Sequence, residues 1–261
     1  MPKPSVAELR PVVHPGGIKD RRNGEHWAGR LYMREISLRC TRVLVDSPLS
    51  PNQYTYLMIV AGMAAGAALL IPGLAGGILG ALLIQLYLLL DCVDGELARW
   101  RQQTSTVGVY LDRVGHYLSE ATLLLGFGLR AADVFHRNGP AIQWQWAFLG
   151  TLAALGAILI KAETDLVDVA RTRRGLAAAE ESANVPRSSG MALARRAAAA
   201  LKFHRLVGGV EASLLMLAAA VADFLHGGLL FTRIAVVVLA AVAVLQTLLH
   251  LVSILASSRL K

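Results

Sequence analysis

Long uncharged segments dominate the pattern of hydrophobic and polar positions along this chain. No charged residue occurs from Tyr54 to Leu90, and this segment is long enough for two membrane-spanning helices of about 17–20 residues each. Pro72 and Gly73 mark the turn between them. Further apolar segments of similar length follow along the chain. The pattern predicts an all-α integral membrane protein with six transmembrane helices, at about residues 54–70, 74–93, 109–130, 144–163, 206–225 and 229–255.

The chain before the first span is polar. Residues 1–25 have no apolar core and are predicted to be a disordered tail, and no secretory signal peptide is predicted there. Over residues 26–45, four apolar residues recur at helical spacing: Tyr32, Ile36, Cys40 and Val43. Arg30 and Arg34 fall on the opposite side of that helix. This pattern predicts an amphipathic helix that lies in the membrane interface.

The charges are distributed unevenly. The net charge is +8 with 55% hydrophobic residues, which favours anionic lipid headgroups and phosphorylated substrates over nucleic acid as partners. With a cytoplasmic N-terminus, the cytoplasmic segments are 1–50, 98–113, 161–206 and 256–261, and only Arg130, Arg137 and Arg233 of the 26 lysines and arginines lie elsewhere. The positive-inside rule therefore predicts that both termini, the tail and the 165–205 loop are cytoplasmic.

Acidic residues cluster at the predicted cytoplasmic ends of the second and third spans. Asp91 and Asp94 are spaced i, i+3, and Asp112 and His116 are spaced i, i+4, so each pair lies on one helix face. A charge at membrane depth costs about 2.5–3.5 kcal/mol. Two Mg²⁺ or Mn²⁺ ions held by Asp91, Asp94 and Asp112 would offset that cost and hold a pyrophosphate. The alternative is that these are ordinary interfacial charges.

Around these residues the sequence resembles the signature of the CDP-alcohol phosphotransferase family, D-x2-D-G-x2-A-R-x8-G-x3-D-x3-D. Seven of the eight positions are present at the family spacing: Asp91, Asp94, Gly95, Ala98, Arg99, Gly108 and Asp112. Pro51-Asn52 with Thr55 also resembles the entry to the family's first span. The resemblance implies one phosphotransferase membrane domain over residues 26–261, acting as a homodimer. It assigns the nucleotide site to Asn52, Thr55, Gly95, Ala98, Arg99 and Gly108.

The reaction implied by this resemblance belongs to phospholipid biosynthesis. An acceptor hydroxyl attacks the β-phosphorus of a CDP-linked lipid, with CDP-diacylglycerol as the expected donor, and CMP is released at the cytoplasmic face of a bacterial-type plasma membrane. Two alternatives stay open. Water could attack the same phosphorus, which would make the protein a CDP-lipid pyrophosphatase, or the chain could be a membrane scaffold without catalytic activity.

The eighth signature position departs from the family, because His116 stands where the family has a fourth Asp. Imidazole has an unperturbed pKa of about 6.5, so His116 is expected to be the general base. It could instead be a metal ligand, or a sign that the site is disabled. Glu120 lies one helical turn further on and is expected to orient the imidazole ring. Glu120 could also replace the missing ligand, face a wet cavity, or pair with a cation such as Arg113.

The acceptor site is predicted from basic residues at the ends of later spans. Lys161 and Arg205 resemble basic positions that family members use around an anionic acceptor, and Glu211 is expected to face the same cavity. Alternatively, Lys161 is an ordinary residue at a span end whose amine reaches the interface. The sequence does not identify the acceptor alcohol.

Overall fold

The computed structural model describes residues 3–15, 27–135, 141–177, 207–257 and 259–260. Every regular element that these residues form is helical, which confirms the all-α part of the predicted fold class. The α-helices are α1 (Val6–Val13), α2 (Arg34–Leu44), α3 (Pro51–Ala68), α4 (Gly73–Trp100), α5 (Thr106–Ala131), α6 (Trp144–Arg173), α7 (Gly209–His226) and α8 (Leu230–Ala256). One π-helical turn, Gly29–Met33, directly precedes α2.

Four helices within the described residues, α4, α6, α7 and α8, are long and apolar enough to cross a membrane. They overlap four of the six predicted spans. The other two predicted spans coincide with α3 and α5, which are helical but fall outside this group of four. Charged residues along α5, including Asp112, Glu120 and Arg130, make that helix less apolar. Several membrane-length helices are thus present, and the number six stays a prediction.

The chain folds as two compact units. The first unit comprises Met1–Ala65 and Ala81–Ser119, and the second comprises Gly66–Gly80 and Glu120–Lys261. Helices α3, α4 and α5 contribute residues to both units, whereas α1 and α2 belong to the first and α6 to α8 to the second. The signature from Asp91 to His116 lies entirely in the first unit.

Helix α1 corrects the prediction of a disordered tail for residues 6–13. Ser5 and Glu8 form a reciprocal capping box, in which the Glu8 amide donates to Ser5 Oγ at 3.2 Å and the Ser5 amide donates to Glu8 Oε2 at 2.7 Å. Leu9 and Val13 are fully buried and pack with Leu38 of α2. This short segment therefore folds because two of its apolar side chains, one turn apart, pack against a partner helix. Residues 16–26 of the predicted tail lie outside the described residues.

Helix α2 buries a polar face. Ile36 and Val43, from the predicted apolar stripe, are 43% and 62% exposed, whereas Ser37 and Thr41 are fully buried. The buried hydroxyls have a partner in the first unit, the carboxylate of Glu96. The exposed apolar residues leave an apolar face of the kind that an interfacial helix requires. The interfacial position of this helix stays a prediction.

Glycine allows the helices of the second unit to approach closely. A Cβ at Gly128 of α5 would lie 2.6 Å from the Cα of Gly150 in α6, and a Cβ at Gly156 of α6 would lie 2.8 Å from the Cβ of Ala243 in α8. Small residues at such crossings are typical of membrane helix packing, where close van der Waals contact replaces the hydrophobic effect between helices.

Polar side chains satisfy the helix ends of the second unit. Asp223 of α7 is buried and accepts hydrogen bonds from the amides of Phe231 and Thr232 at 2.7 and 3.0 Å. These amides belong to the first turn of α8 and have no partner within that helix. The guanidinium of Arg130 donates to the carbonyls of Ile71 and Gly73 at 3.2 and 2.7 Å. Both charges therefore have structural partners away from the signature residues.

Candidate metal and nucleotide site

Helices α4 and α5 bring three chemically active side chains of the first unit together. Nε2 of His116 lies 3.4 Å from Oδ1 of Asp91 and 3.5 Å from Oδ1 of Asp112. One ligand atom from each of the three residues lies within 4.8 Å of the others. All three side chains are partly exposed, between 22% and 40%. Two carboxylates and one imidazole form a donor set that fits a divalent cation.

Asp94, predicted as a third carboxylate ligand, has a different environment. It is 7% exposed, and its Oδ2 accepts a hydrogen bond of 2.6 Å from Oγ1 of Thr55. The Thr55 hydroxyl also lies 3.3 Å from the carbonyl of Pro51. The three-residue group therefore contains Asp91 and Asp112 together with His116, while Asp94 joins the start of α3 to α4.

The imidazole ring of His116 has a partner that sequence reasoning missed. Nδ1 of His116 is hydrogen-bonded to the hydroxyl of Tyr87. The two rings meet edge to face, with centroids 5.8 Å apart. Tyr87 is only 4% exposed and lies one helical turn before Asp91 on α4, so both face α5. The sequence feature that could have indicated this partner is Tyr87 itself, which lies four residues before the first signature aspartate in an otherwise apolar segment.

Gly108 and Asn52, both predicted for the nucleotide site, are neighbours. A Cβ at Gly108 would lie 3.0 Å from Oδ1 of Asn52, so glycine leaves space for the amide side chain at the start of α3. The Gly108 amide donates to Oγ of Ser105 at 3.0 Å. Ser105 thereby satisfies one of the amides at the beginning of α5.

Gly95, Ala98 and Arg99 lie on the last turns of α4. A Cβ at Gly95 would lie 3.3 Å from Nη1 of Arg99, so the guanidinium rests against the helix where glycine exposes the backbone. Nε of Arg99 donates to the carbonyl of Val13 at 2.7 Å. Ala98 is half-buried. The end of α1 is thus a direct neighbour of the signature arginine.

Glu96 occupies a variable position of the signature and was not singled out by sequence reasoning. It is fully buried and accepts hydrogen bonds from the hydroxyls of Ser37 and Thr41 at 2.6 and 2.7 Å. Its Oε1 also lies 2.8 Å from Nε2 of His14 and 3.8 Å from Nη1 of Arg34. A buried carboxylate needs such partners. The contacts join α2 and the residue that follows α1 to the helix bearing the signature.

The predicted acceptor residues lie in the second unit. Nζ of Lys161 on α6 is 3.0 Å from Oε1 of Glu120 on α5, and the amide of Gly209 donates to the same oxygen at 3.4 Å. Glu120 therefore pairs with a cation, which is Lys161. Glu211 is half-buried in the first turn of α7. Arg205 lies outside the described residues, and the predicted action of Glu120 on the His116 ring stays untested.

Several membrane-length apolar helices are consistent with a multi-pass membrane protein, and two of the helices, α4 and α5, bear residues that could hold a cation. Residues 48–162 match the sequence model of the CDP-alcohol phosphatidyltransferase family. The matched range contains the whole signature and confirms the resemblance found in the sequence. Members of that family are CDP-alcohol phosphotransferases that depend on metal ions, and the group formed by Asp91, Asp112 and His116 agrees with such a site.

The curated relatives support the same class. The chain is 32% identical over 143 residues to a protein of Thermococcus kodakarensis named bifunctional IPC transferase and DIPP synthase, a match that covers 54% of this chain and 30% of the relative. Proteins of the same name from Aquifex aeolicus and Rubrobacter xylanophilus are 37% and 40% identical over 143 and 88 residues. These matches cover 54% and 34% of the chain, and 30% and 20% of the relatives. The chain thus spans at most about a third of their length.

Proposed function

We propose that this chain transfers a substituted phosphate group from a CDP-linked alcohol, with CDP-diacylglycerol as the donor, to the hydroxyl of an acceptor. The observation that carries the proposal is the group formed by Asp91, Asp112 and His116 within the matched family domain. Two divalent cations, Mg²⁺ or Mn²⁺, are proposed at the signature carboxylates. When bound, they supply neutralising charge for the pyrophosphate of the donor.

The reaction exchanges one phosphate ester bond for another. The acceptor oxygen forms a bond to the β-phosphorus, and the bond from this phosphorus to the oxygen that bridges to CMP breaks. The electron pair leaves with CMP, and the hydroxyl proton must pass to a base. Because Nδ1 of His116 is engaged by Tyr87, the nitrogen proposed to take a proton or to bind a metal ion is Nε2, which faces the carboxylates of Asp91 and Asp112.

The nucleotide site is proposed around the signature glycines. Asn52 beside Gly108 and Arg99 beside Gly95 provide an amide and a guanidinium where the helix backbones are least covered. Thr55 and Ala98 complete the proposed site. Arg99 is the residue whose positive charge suits a phosphate, and glycine at the two neighbouring positions allows close approach of the nucleotide.

The acceptor site is proposed around Lys161 and its ion-pair partner Glu120 in the second unit, and Glu211 of the same unit is included from its position in the sequence. A cation held by one carboxylate at 3.0 Å can bind an anionic or hydroxyl-rich acceptor by exchanging that contact. Lys161→Met should therefore raise KM for the acceptor more than it lowers kcat. An unchanged KM for every acceptor tested would remove Lys161 from the site. The role of Arg205 is proposed from the family resemblance alone.

The environment proposed for this reaction is a bacterial-type plasma membrane. Six spans, cytoplasmic termini and a cytoplasmic active site are proposed from the apolar segments and the Lys and Arg distribution. A homodimer is proposed from the family resemblance. The relatives are named for IPC transferase and DIPP synthase activities, so the substrates of those two activities belong in the test beside CDP-diacylglycerol.

The deciding experiment uses purified protein in lipid nanodiscs with labelled CDP-diacylglycerol, a panel of alcohols, and Mg²⁺ or Mn²⁺. Mass spectrometry should detect a new lipid together with CMP. Asp91→Asn and Asp112→Asn should abolish both products. Asp46→Asn, an exposed carboxylate outside the signature, is the matched control and should retain them. Phosphatidic acid in place of a new lipid would identify a hydrolase. The absence of CMP with CDP-diacylglycerol and with the substrates of the two activities named for the relatives would identify a non-catalytic protein.

A further inference from the structure

The distances from His116 to Asp91 and Asp112 indicate the role of its imidazole more specifically than the residue type does. A cation bound at about 2.1 Å by two neighbouring ligands, at right or tetrahedral angles, separates the ligand atoms by about 3.0–3.5 Å. The two distances from Nε2 of His116, 3.4 Å to Asp91 and 3.5 Å to Asp112, match that separation. Both separations from the nitrogen therefore fit ligands of one ion, and the three ligand atoms all lie within 4.8 Å of one another.

The contact with Tyr87 supplies what a metal-binding histidine needs on its other nitrogen. A neutral imidazole binds a cation through one nitrogen only when the second nitrogen carries the proton. A tyrosine hydroxyl accepts a hydrogen bond as readily as it donates one, so it can receive the Nδ1 proton. Because Tyr87 is 4% exposed and its ring packs on His116, the imidazole is held with Nε2 towards the two carboxylates.

We propose that His116 is a nitrogen ligand in a mixed Asp–Asp–His cation site, and that Tyr87 is its positioning residue. This inference rests on the proposed function, since it concerns the same site. In this assignment Nε2 binds the cation, and it therefore does not accept the proton of the acceptor hydroxyl. An imidazole ligand favours transition metals, whereas an all-carboxylate site suits Mg²⁺. The site should therefore prefer Mn²⁺ to Mg²⁺ more strongly than a site with Asp at position 116.

The test measures the bound ion directly. Purified, tag-free protein is loaded with Mn²⁺, and electron spin echo envelope modulation is recorded, in which a directly bound imidazole nitrogen produces a ¹⁴N modulation. The native chain should show that modulation. His116→Asp should bind Mn²⁺ without it, and its preference for Mn²⁺ over Mg²⁺ in competition titrations should fall. His226→Gln replaces an exposed histidine of α7 and should leave the modulation unchanged.

The tyrosine is tested by Tyr87→Phe, which keeps the ring and removes the hydroxyl. Its Mn²⁺ affinity should fall by about 10–100-fold, as for other residues that support a metal ligand, whereas a purely packing role would leave the affinity unchanged. Bound Mn²⁺ without a ¹⁴N modulation in the native chain, or a modulation that persists in His116→Asp, would overturn the assignment of His116. Native protein that binds no Mn²⁺ would overturn it as well.

These outcomes are separate from those of the proposed function. CMP release from the native chain together with an all-oxygen Mn²⁺ signal would retain the transferase and reject the nitrogen ligand. A clear ¹⁴N modulation without transfer to any acceptor would retain the cation site and reject the transferase.

Discussion

The buried carboxylate of Glu96 provides the sharpest test of how the first unit is held together. Glu96→Gln keeps the shape of the side chain and removes its charge. The carboxylate has three close partners, Ser37, Thr41 and His14, at 2.6, 2.7 and 2.8 Å. A hydrogen bond to a charged group contributes about 1.5–3 kcal/mol and a neutral one about 0.5–1.5 kcal/mol. Weakening three such bonds should therefore destabilise the protein by about 3 kcal/mol.

The effect should be specific to the network, because buried partners of one group do not act independently. Thr41→Val alone removes one hydrogen bond and should cost about 1.5–3 kcal/mol. In a Glu96→Gln background the same substitution should cost clearly less, since the charge that strengthened the bond is already gone. Equal costs in the two backgrounds would show that Thr41 and Glu96 are not coupled.

Thermal unfolding in detergent, followed with a thiol-reactive dye, measures this stability. Cys92 is 2% exposed and lies one turn before Glu96 on α4, so it reacts when the helix loses its packing. Glu35→Gln is the matched control. Glu35 also joins α2 to α1, through Arg10 at 2.7 Å, but both side chains are about 40% exposed, and such pairs contribute about 0–1 kcal/mol. A loss for Glu96→Gln no larger than that of Glu35→Gln would refute the reasoning.

The remaining predictions concern packing, capping and topology. Asp223→Ala removes the cap from the start of α8 and should lower stability by about 0.5–2 kcal/mol, measured as the loss of helical circular dichroism on heating in detergent. An unchanged melting temperature would contradict the capping role. Gly150→Val should destabilise the protein by about 1–3 kcal/mol or more, since its Cβ would lie 2.5 Å from a backbone atom of α5. Gly209→Ala is the control, because its Cβ would meet nothing closer than 3.8 Å and the substitution should be tolerated. Equal melting temperatures for the two variants would refute the close packing at Gly150. From the Lys and Arg distribution, a cysteine at Asn138 should react with an impermeant thiol reagent in intact cells and one at Ser189 should not. Labelling of the cysteine at 189 and not of the one at 138 would show that the membrane orientation is opposite to the predicted one.

Helix periodicity explains why much of the cation site was predictable. Asp112 and His116 are one turn apart on α5, and an i, i+4 pair must share a face of any helix. The apolar segments were equally informative, because a membrane-length run without charge has few alternatives to a helix. Spacing could therefore predict both helices of the signature, and the short polar link between these helices indicated that the two pairs could approach each other, as Asp91 and His116 do.

Local patterns could not show what each helix face would contact. The partners of Glu96 are 55, 59 and 82 residues away in the chain, and those of Asp94 and His116 are 39 and 29 residues away. Periodicity shows which residues share one face of a helix, but it does not show which other helix packs against that face. Only the tertiary structure could therefore show that Asp94 bonds to Thr55 and that the His116 ring bonds to Tyr87. The same limit explains α1, whose Leu9 and Val13 acquire their helix-stabilising contacts only where α2 provides a surface to cover them.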